Sequence, residues 1–446
     1  MVYLYSGPII ILNLENGEIE EIELDDDIIR KNIGGAKLNK YLYEKYKDYD
    51  PIIFGSGYLT GTLFPGASLG IITGENPVNN KISHSPFLLH GGAEFKLSGI
   101  SFLALLGKSK KPIYLWLHDG IVDIKDAENL VGMDTWKVTD IIRKENGEPT
   151  IQVLSIGIGG EKGSCISNIS LNYWGSGDRN GFGKVLGEKN VKAIAFKGLG
   201  EIEVANSQEF IDNCIDLRKE IINGAIKGKK GIEEFSPYLG FDGVKEWLSP
   251  YIHRHVSCYS CIYPCNTFVK YNEDAGVITQ NGVDEPGIFL TDLSGLLAFK
   301  DMGLDPKEIF RYMEKALRFG IDLTSAAYII KNSSINSLTE SKDAKMVSWP
   351  IDREEVRLEE DFGVFSLYPP FRPIIGDFGI NSAPNSIFRV WTERNALSYI
   401  SGICPVLLLI SPEITEGEIL EAINLTSGLD LLMDDFKKVI KDLYES

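Results

Sequence analysis

Three cysteines stand at C-x2-C-x3-C spacing in the stretch CYSCIYPC, as Cys258, Cys261 and Cys265, within a chain that has six cysteines. Tetrahedral zinc and cubane iron–sulfur clusters both take four ligands, so the triplet calls for a fourth from elsewhere. Cys404 is the candidate. It sits in SGICPV, where Gly402 permits close backbone approach and Pro405 removes a competing amide. Cys165, read as lying on a strand, and Cys214, on an amphipathic stripe, suit buried free thiols. Three readings of the triplet remain: a [4Fe-4S] cluster, zinc completed by Cys404, His253 or His255, or unrelated buried cysteines. No second C-x2-C completes a zinc ribbon, and the C-x3-C-x2-C order of radical chemistry with S-adenosylmethionine is not what is written. The cluster is the preferred reading.

A second candidate site is GDRNGFGKVLGEKNVKAIAFKG, from Gly177, which reads as a glycine-rich loop, a short helix and a strand. Gly177, Gly181, Gly183 and Gly187 would let backbone N–H groups crowd around an anion, with Arg179 to neutralise it. A plain turn is the other reading of the same spacing.

The elements that must position these residues divide the chain near residue 204. Residues 1–204 read as β-rich: PIIILNLENGEIEEIEL predicts a hairpin about Asn16-Gly17, and strand-like runs recur at PIIFGSG, SLGIITG, SFLALLGK and PIYLWLHDGIVDI. A helix is predicted from about Asp26 to Lys47. The spacing predicts an α+β fold with a large, mostly antiparallel sheet in the first unit. Residues 205–446 read as mainly helical. An apolar stripe Phe210, Cys214, Leu217, Ile221 follows a cap at Asn206 or Ser207, and Asp305-Pro306-Lys307-Glu308 opens a helix that ends at Gly320. The stretch 334–390 reads as irregular, and TEGEILEAINLTSG and MDDFKKVIKDLYE as a closing helical pair.

Bulk properties narrow the function. A formal charge of −18 over 446 residues argues against nucleic acid and anionic lipid as partners. The apolar run ICPVLLLI at 403–410 is far shorter than the roughly 20 residues of a spanning helix. Few cysteines and no secretory pattern at the N-terminus predict a soluble protein of the reducing cytoplasm, where clustered thiols favour metal over disulfide.

Taken together, the hairpin, NIGGAKLNKYLYEKY, GYLTGTLFPGASLGIIT, GGAEFKLSGI, the Gly177 turn, the ordered cysteines, GIDLTS and LTSGLDLLMDDF resemble the aldehyde ferredoxin oxidoreductase family. The resemblance covers nearly the whole chain outside 334–390, as a shortened, divergent member. It implies a [4Fe-4S] cluster on Cys258, Cys261, Cys265 and Cys404 beside a tungsten (or molybdenum) bis-pterin. It places Arg179, Gly181, Gly183, Asn190, Gly320, Asp322 and Gly402 at the cofactor, and Glu285 or Asp284 of GVDEPG near the family's active-site acid. It also implies oxidation of a small aldehyde to a carboxylic acid, with electrons passing to ferredoxin or another electron-transfer protein, and leaves a homodimer open. The departures are specific. Leu69 stands where the family has an Arg, Leu317 and Tyr399 where it has Asp, SHSPFLLH replaces an Asn-bearing loop, and no histidine follows His255. A non-catalytic, cluster-bearing relay or assembly partner without pterin is therefore the alternative, and a zinc-stabilised structural protein a third reading.

Overall fold

The computed structural model describes residues 7–77, 80–175, 178–236, 242–271, 287–332, 334, 337–338 and 384–444. The fold is α+β, with two sheets in the first half and mostly helices in the second. The first sheet is built from β1 (Ile9–Asn13), β2 (Ile19–Ile22), β3 (Ile52–Ser56), β4 (Gly70–Glu75), β5 (Ile82–Phe87) and β6 (Phe102–Leu106), in the order β2-β1-β6-β3-β4-β5. The second takes β7 (Ile113–His118), β8 (Ile121–Asp126), β9 (Gln152–Ile156), β10 (Ile169–Leu171) and β11 (Val191–Phe196), in the order β10-β9-β11-β7-β8. Pairing is antiparallel except between β1 and β6 and between β11 and β7. One large sheet was the expectation; two stacked sheets are found.

Side-chain alternation explains the stacking. Ile10, Leu12, Phe54, Leu103 and Leu105 from the first sheet share a core with Leu115, Leu117, Leu154, Ile194 and Phe196 from the second. The opposite faces are also apolar: Ile9, Ile11, Ile53 and Ala104 lie under α2 (Gly35–Lys45), and Tyr114, Val153, Ala193 and Ala195 under α4 (Thr135–Glu145). A strand covered on both faces reads as a continuous apolar run, which is why IIIL shows no alternation. The predicted helix over 26–47 is two helices, α1 (Asp26–Asn32) and α2, because Ile33 adopts a left-sided φ of 58° before Gly34-Gly35. In the hairpin, Gly17 alone takes a positive φ, at 76°. Between the sheets' strands lie α3 (Gly91–Leu97), α5 (Ile158–Glu161) and α6 (Phe182–Glu188). Cys165 lies in a turn, not on a strand.

The second half opens with α7 (Ser207–Asn223), which buries Phe210, Cys214, Leu217 and Ile221 as the stripe requires. Then come α8 (Val244–Leu248) and an antiparallel sheet of β12 (Ile252–Val256), β13 (Asn266–Lys270) and β14 (Gly287–Leu290), which the sequence reading lacked. The helices α9 (Leu293–Lys300), α10 (Pro306–Phe319) and α11 (Leu323–Asn332) follow. Asp305 caps α10 by accepting from the Lys307 N–H, and Gly320 ends it in the left-handed region at φ 65°. Most of 334–390 lies outside the described residues, yet Pro384 already starts α12 (Pro384–Ser401). The chain closes with α13 (Pro405–Ile410), α14 (Glu416–Ser427) and α15 (Met433–Tyr444).

Candidate metal centre

The loop joining β12 to β13 carries Cys258, Cys261 and Cys265, so the triplet is the turn of a hairpin whose last pair is Val256 with Asn266. Within it the Cys261 N–H donates to the Cys258 carbonyl at 3.1 Å, and Ser260 takes a left-handed φ of 54°. Cys404 arrives from the turn between α12 and α13, where it caps α13 with Pro405 at the first helical position.

Gly66 joins the two segments. Its N–H donates to the Ser260 carbonyl at 3.0 Å, and its own carbonyl accepts from the Cys404 N–H at 2.9 Å. Its φ of 74° suits glycine, and an added Cβ would lie 2.6 Å from Leu407 Cδ2. Arg218 of α7 braces the same loop: its Nη2 donates to the Leu63 carbonyl at 2.8 Å, the Ser260 carbonyl at 3.0 Å and the Ser260 hydroxyl at 2.5 Å.

Cys258, Cys265 and Cys404 are buried and Cys261 partly so. Burial pushes the Cys261 thiol up to about 12, and the neighbouring Cys258 adds to it. Burial raises Cys265 and Cys404 well above the ordinary range, each raised further by other thiols of the four. Amide N–H groups oppose this: Leu89 toward Cys258, Tyr263 and Ile262 toward Cys261, Leu407 and Val406 toward Cys404. Asn266 Nδ2 lies 3.6 Å from Cys258 Sγ. Four thiols in one apolar pocket stay protonated on their own, and a cationic iron–sulfur core would deprotonate them.

Among the described residues no three His, Cys, Asp or Glu side chains form a site for a metal ion. Four thiolates are a donor set that either a zinc ion or a cubane cluster accepts. The histidines are engaged elsewhere. His255 Nε2 is 2.8 Å from Glu233 Oε1, whose other oxygen accepts from the Thr267 hydroxyl at 2.6 Å. His253 packs edge-on against Phe268.

Of the residues expected at a pterin, Arg179 and Asp322 hold each other. Arg179 Nε and Nη2 donate to Asp322 Oδ1 and Oδ2 at 2.6 and 3.0 Å, with both side chains buried. Asp322 also accepts from the Ser325 N–H and hydroxyl, at 2.8 and 2.6 Å. Burial alone would lower the Arg179 pKa; the carboxylates of Asp322 and Asp292 hold it above its ordinary value. The presumed anion nest has an occupant of its own. The Asp178 carboxylate accepts from the Asn180 N–H at 2.9 Å, the Ile169 N–H at 3.0 Å and the Ser85 hydroxyl at 2.8 Å.

The glycines serve packing. A Cβ on Gly181 would meet the Cys165 carbonyl oxygen at 2.6 Å, and one on Gly183 the Asn168 carbonyl oxygen at 2.6 Å. Gly320 caps α10 and accepts from the Asn168 N–H, and a Cβ on Gly402 would overlap Thr60 Oγ1. Asn190 Nδ2 donates to the Ser109 carbonyl at 2.7 Å, beside β7. Tyr399 is fully buried, and its hydroxyl pKa is raised by burial and by Asp178 and Cys404. Arg179, Asp322 and Asn190 thus each have a hydrogen-bond partner within the protein. Gly177, Asp284 and Glu285 lie outside the described residues.

Sequence reasoning missed Gly66, Arg218, Leu89 and Asn266. Only Asn266, directly after the last cysteine of the triplet, stood close enough in sequence to be noticed. Cys258 also receives a hydrogen bond from the Ser68 side chain, so the first half of the chain contributes directly to this pocket.

Residues 9–198 match the family model of the aldehyde ferredoxin oxidoreductase N-terminal domain. The chain is 28% identical over 291 residues to a tungsten-containing aldehyde ferredoxin oxidoreductase of Pyrococcus furiosus, covering 58% of this chain and 48% of that protein. It is 28% identical over 231 residues, 47% of this chain and 37% of the other, to the WOR-like subunit of an aliphatic sulfonate oxidoreductase from the same organism. It thus spans about half the length of the first of these relatives. A solved structure, the active site complex BamBC of benzoyl coenzyme A reductase with 1,5-dienoyl-CoA, superposes with a TM-score of 0.77 at 18% identity, over 99% of this chain and 88% of that one. The matched N-terminal domain over residues 9–198 and the tungsten-containing relatives support membership of the aldehyde ferredoxin oxidoreductase family, at partial coverage and as a divergent member.

Proposed function

We propose that this chain works in an oxidoreductase reaction of the aldehyde ferredoxin oxidoreductase type, and that its own contribution is an electron-carrying [4Fe-4S] cluster on Cys258, Cys261, Cys265 and Cys404. The observation that carries this reading is Gly66, which hydrogen-bonds both the triplet loop and Cys404 and so sets the fourth thiol against the other three. The buried N–H donors around the sulfurs support it, since they would tune a cluster's potential.

Oxidation of a small aldehyde at a tungsten or molybdenum pterin on this same chain, with electrons passing on to ferredoxin in the cytoplasm, is the finer reading. The similarity to tungsten-containing aldehyde ferredoxin oxidoreductases supports it. In that reading Glu285 or Asp284 would accept the proton that leaves with the hydride equivalent. The second reading, a cluster-bearing relay whose pterin chemistry belongs to a partner, is favoured by the Arg179–Asp322 pair and by the carboxylate already seated in the glycine turn. The relative named as a subunit is in keeping with it.

Protein purified without oxygen and assayed for metals separates these. The proposal expects about four irons per chain, lost or reduced to a three-iron form in Cys404→Ala and retained in Cys214→Ala. Tungsten or molybdenum with extractable pterin supports catalysis on this chain, and iron alone supports the relay. Zinc in place of iron, or a stable cubane in Cys404→Ala, overturns the cluster assignment.

A further inference from the structure

The helix α7 has two characters. Its buried stripe packs on the core, while Ile215 and Ile222, seven residues apart, stand 45% and 52% exposed. Arg218 lies between them and reaches the cysteine loop. Leu63, whose carbonyl takes one of the Arg218 bonds, is 50% exposed beside it. Exposed apolar side chains clustered around a charged contact to a buried site mark an interaction surface better than scattered ones do.

The chain that leaves α7 is basic and is tied to the same loop. Lys227 and Lys230 are exposed and Lys229 partly so. The next residue, Gly231, donates its N–H to the Pro264 carbonyl at 3.0 Å and accepts from the Tyr263 hydroxyl at 2.9 Å. Pro264 and Tyr263 lie between Cys261 and Cys265. From 218 to 230 there are five basic residues and one acidic, Glu220, in a chain whose net charge is −18. On the flank, Asp216 is neutralised by Lys219 at 2.7 Å.

We propose that this face, Ile215, Ile222 and Leu63 rimmed by Lys227 and Lys230, docks a small acidic electron-transfer protein and is where electrons pass between it and the cluster. The inference rests on the cluster reading above. Charge complementarity selects the occupant: a partner with a carboxylate-rich rim is drawn to this basic segment, which borders the cysteines, and is repelled by the acidic remainder. The step is a single electron transfer. A reduced cluster gives one electron to the oxidised centre of the partner and returns to its oxidised state, with no proton or atom exchanged.

The test uses the whole chain, purified anaerobically, reduced with dithionite, freed of excess reductant and mixed by stopped flow with an oxidised acidic [4Fe-4S] ferredoxin. Electron transfer should accelerate as salt is lowered. Lys227→Glu/Lys230→Glu should slow it at least tenfold at low salt, and Ile222→Glu should slow it at all salt concentrations. Iron content and the electron paramagnetic resonance signal of the reduced cluster should match the parent, and transfer to methyl viologen should not slow. Parent-like rates and salt dependence in the charge-reversed variant overturn the docking face while leaving the cluster intact. Sedimentation showing that Ile222→Glu converts a dimer to monomers also overturns it, by assigning the face to a second copy. A protein without an iron–sulfur cluster removes the cluster reading and this inference together.

Discussion

Arg179 and Asp322 sit where neither charge can be left alone, so the consequence of separating them is a matter of desolvation. Both are nearly inaccessible, and the two short bonds between them are of the bidentate type. Removing one partner of a buried pair costs about 3–5 kcal/mol, whereas replacing both with apolar groups of similar volume is often close to neutral. Arg179→Ala should therefore lose stability on that scale in chemical denaturation, with Asp322→Ala similar. Arg179→Met/Asp322→Leu should recover much of the loss. Were Arg179 instead held chiefly for a phosphate, Arg179→Ala would leave the stability of the unloaded protein nearly unchanged. The neighbouring Asp178 shows how one turn supports two readings. A glycine-rich turn before a short helix is equally good for a bound phosphate and for a carboxylate of the chain itself. The choice was made by Ile169 and Ser85, whose groups reach Asp178 from β10 and β5. No local spacing announces such a contact.

At the level of elements, the turn before β4 is the piece that joins the cysteine triplet loop to Cys404. Gly66 meets Ser260 on one side and Cys404 on the other, and its φ of 74° is costly for any residue with a Cβ. Left-handed backbone costs an L-residue roughly 1–2 kcal/mol, and the nearby Leu407 methyl must also yield. Gly66→Ala should therefore destabilise the fold by about that amount. Its iron should also be released to a chelator faster than in the parent, a difference read by absorbance bleaching. Retention of parent kinetics would show that the turn does not govern the pocket. The elements carrying this turn were legible in part. The stripe of α7, the Asp305 and Gly320 caps of α10 and the strand runs were readable because their signals are periodic or local. The break at Ile33, the separation into two sheets and β5 within ISHSPF were not, since each is decided by which faces find apolar partners across the fold. The cysteines were legible as chemistry, but their assembly depends on Gly66 and Arg218, far away in sequence.

For the molecule as a whole, two buried groups pull its acid stability in opposite directions. Burial raises the Asp178 carboxyl from 3.8 to about 6. The folded state then holds a proton that the unfolded chain releases, so this group's stabilisation is full below about pH 4 and is lost as pH rises through 6. His84 is the reverse. Burial, reinforced by Lys40, lowers it from 6.5 to about 3, and its Nδ1 is 2.8 Å from Thr73 Oγ1. The unfolded chain takes up the proton first, so stability is full above pH 6.5 and falls as pH drops toward 3. Each contributes a slope of about 1.4 kcal/mol per pH unit within its window. Between pH 4 and 6 these two slopes oppose each other, and Asp292, which burial also raises from 3.8 to about 6, acts in the same direction as Asp178. Of these three groups only His84 still acts below pH 4. The stability of the parent minus that of His84→Gln, from urea titrations at stepped pH, should fall as pH is lowered from 6.5. The corresponding difference for Asp178→Asn should fall as pH is raised from 4 to 6. A pH-independent difference in either series would mean that the residue is already neutralised by a partner, and the opposing-slope account of acid stability would fail for that site.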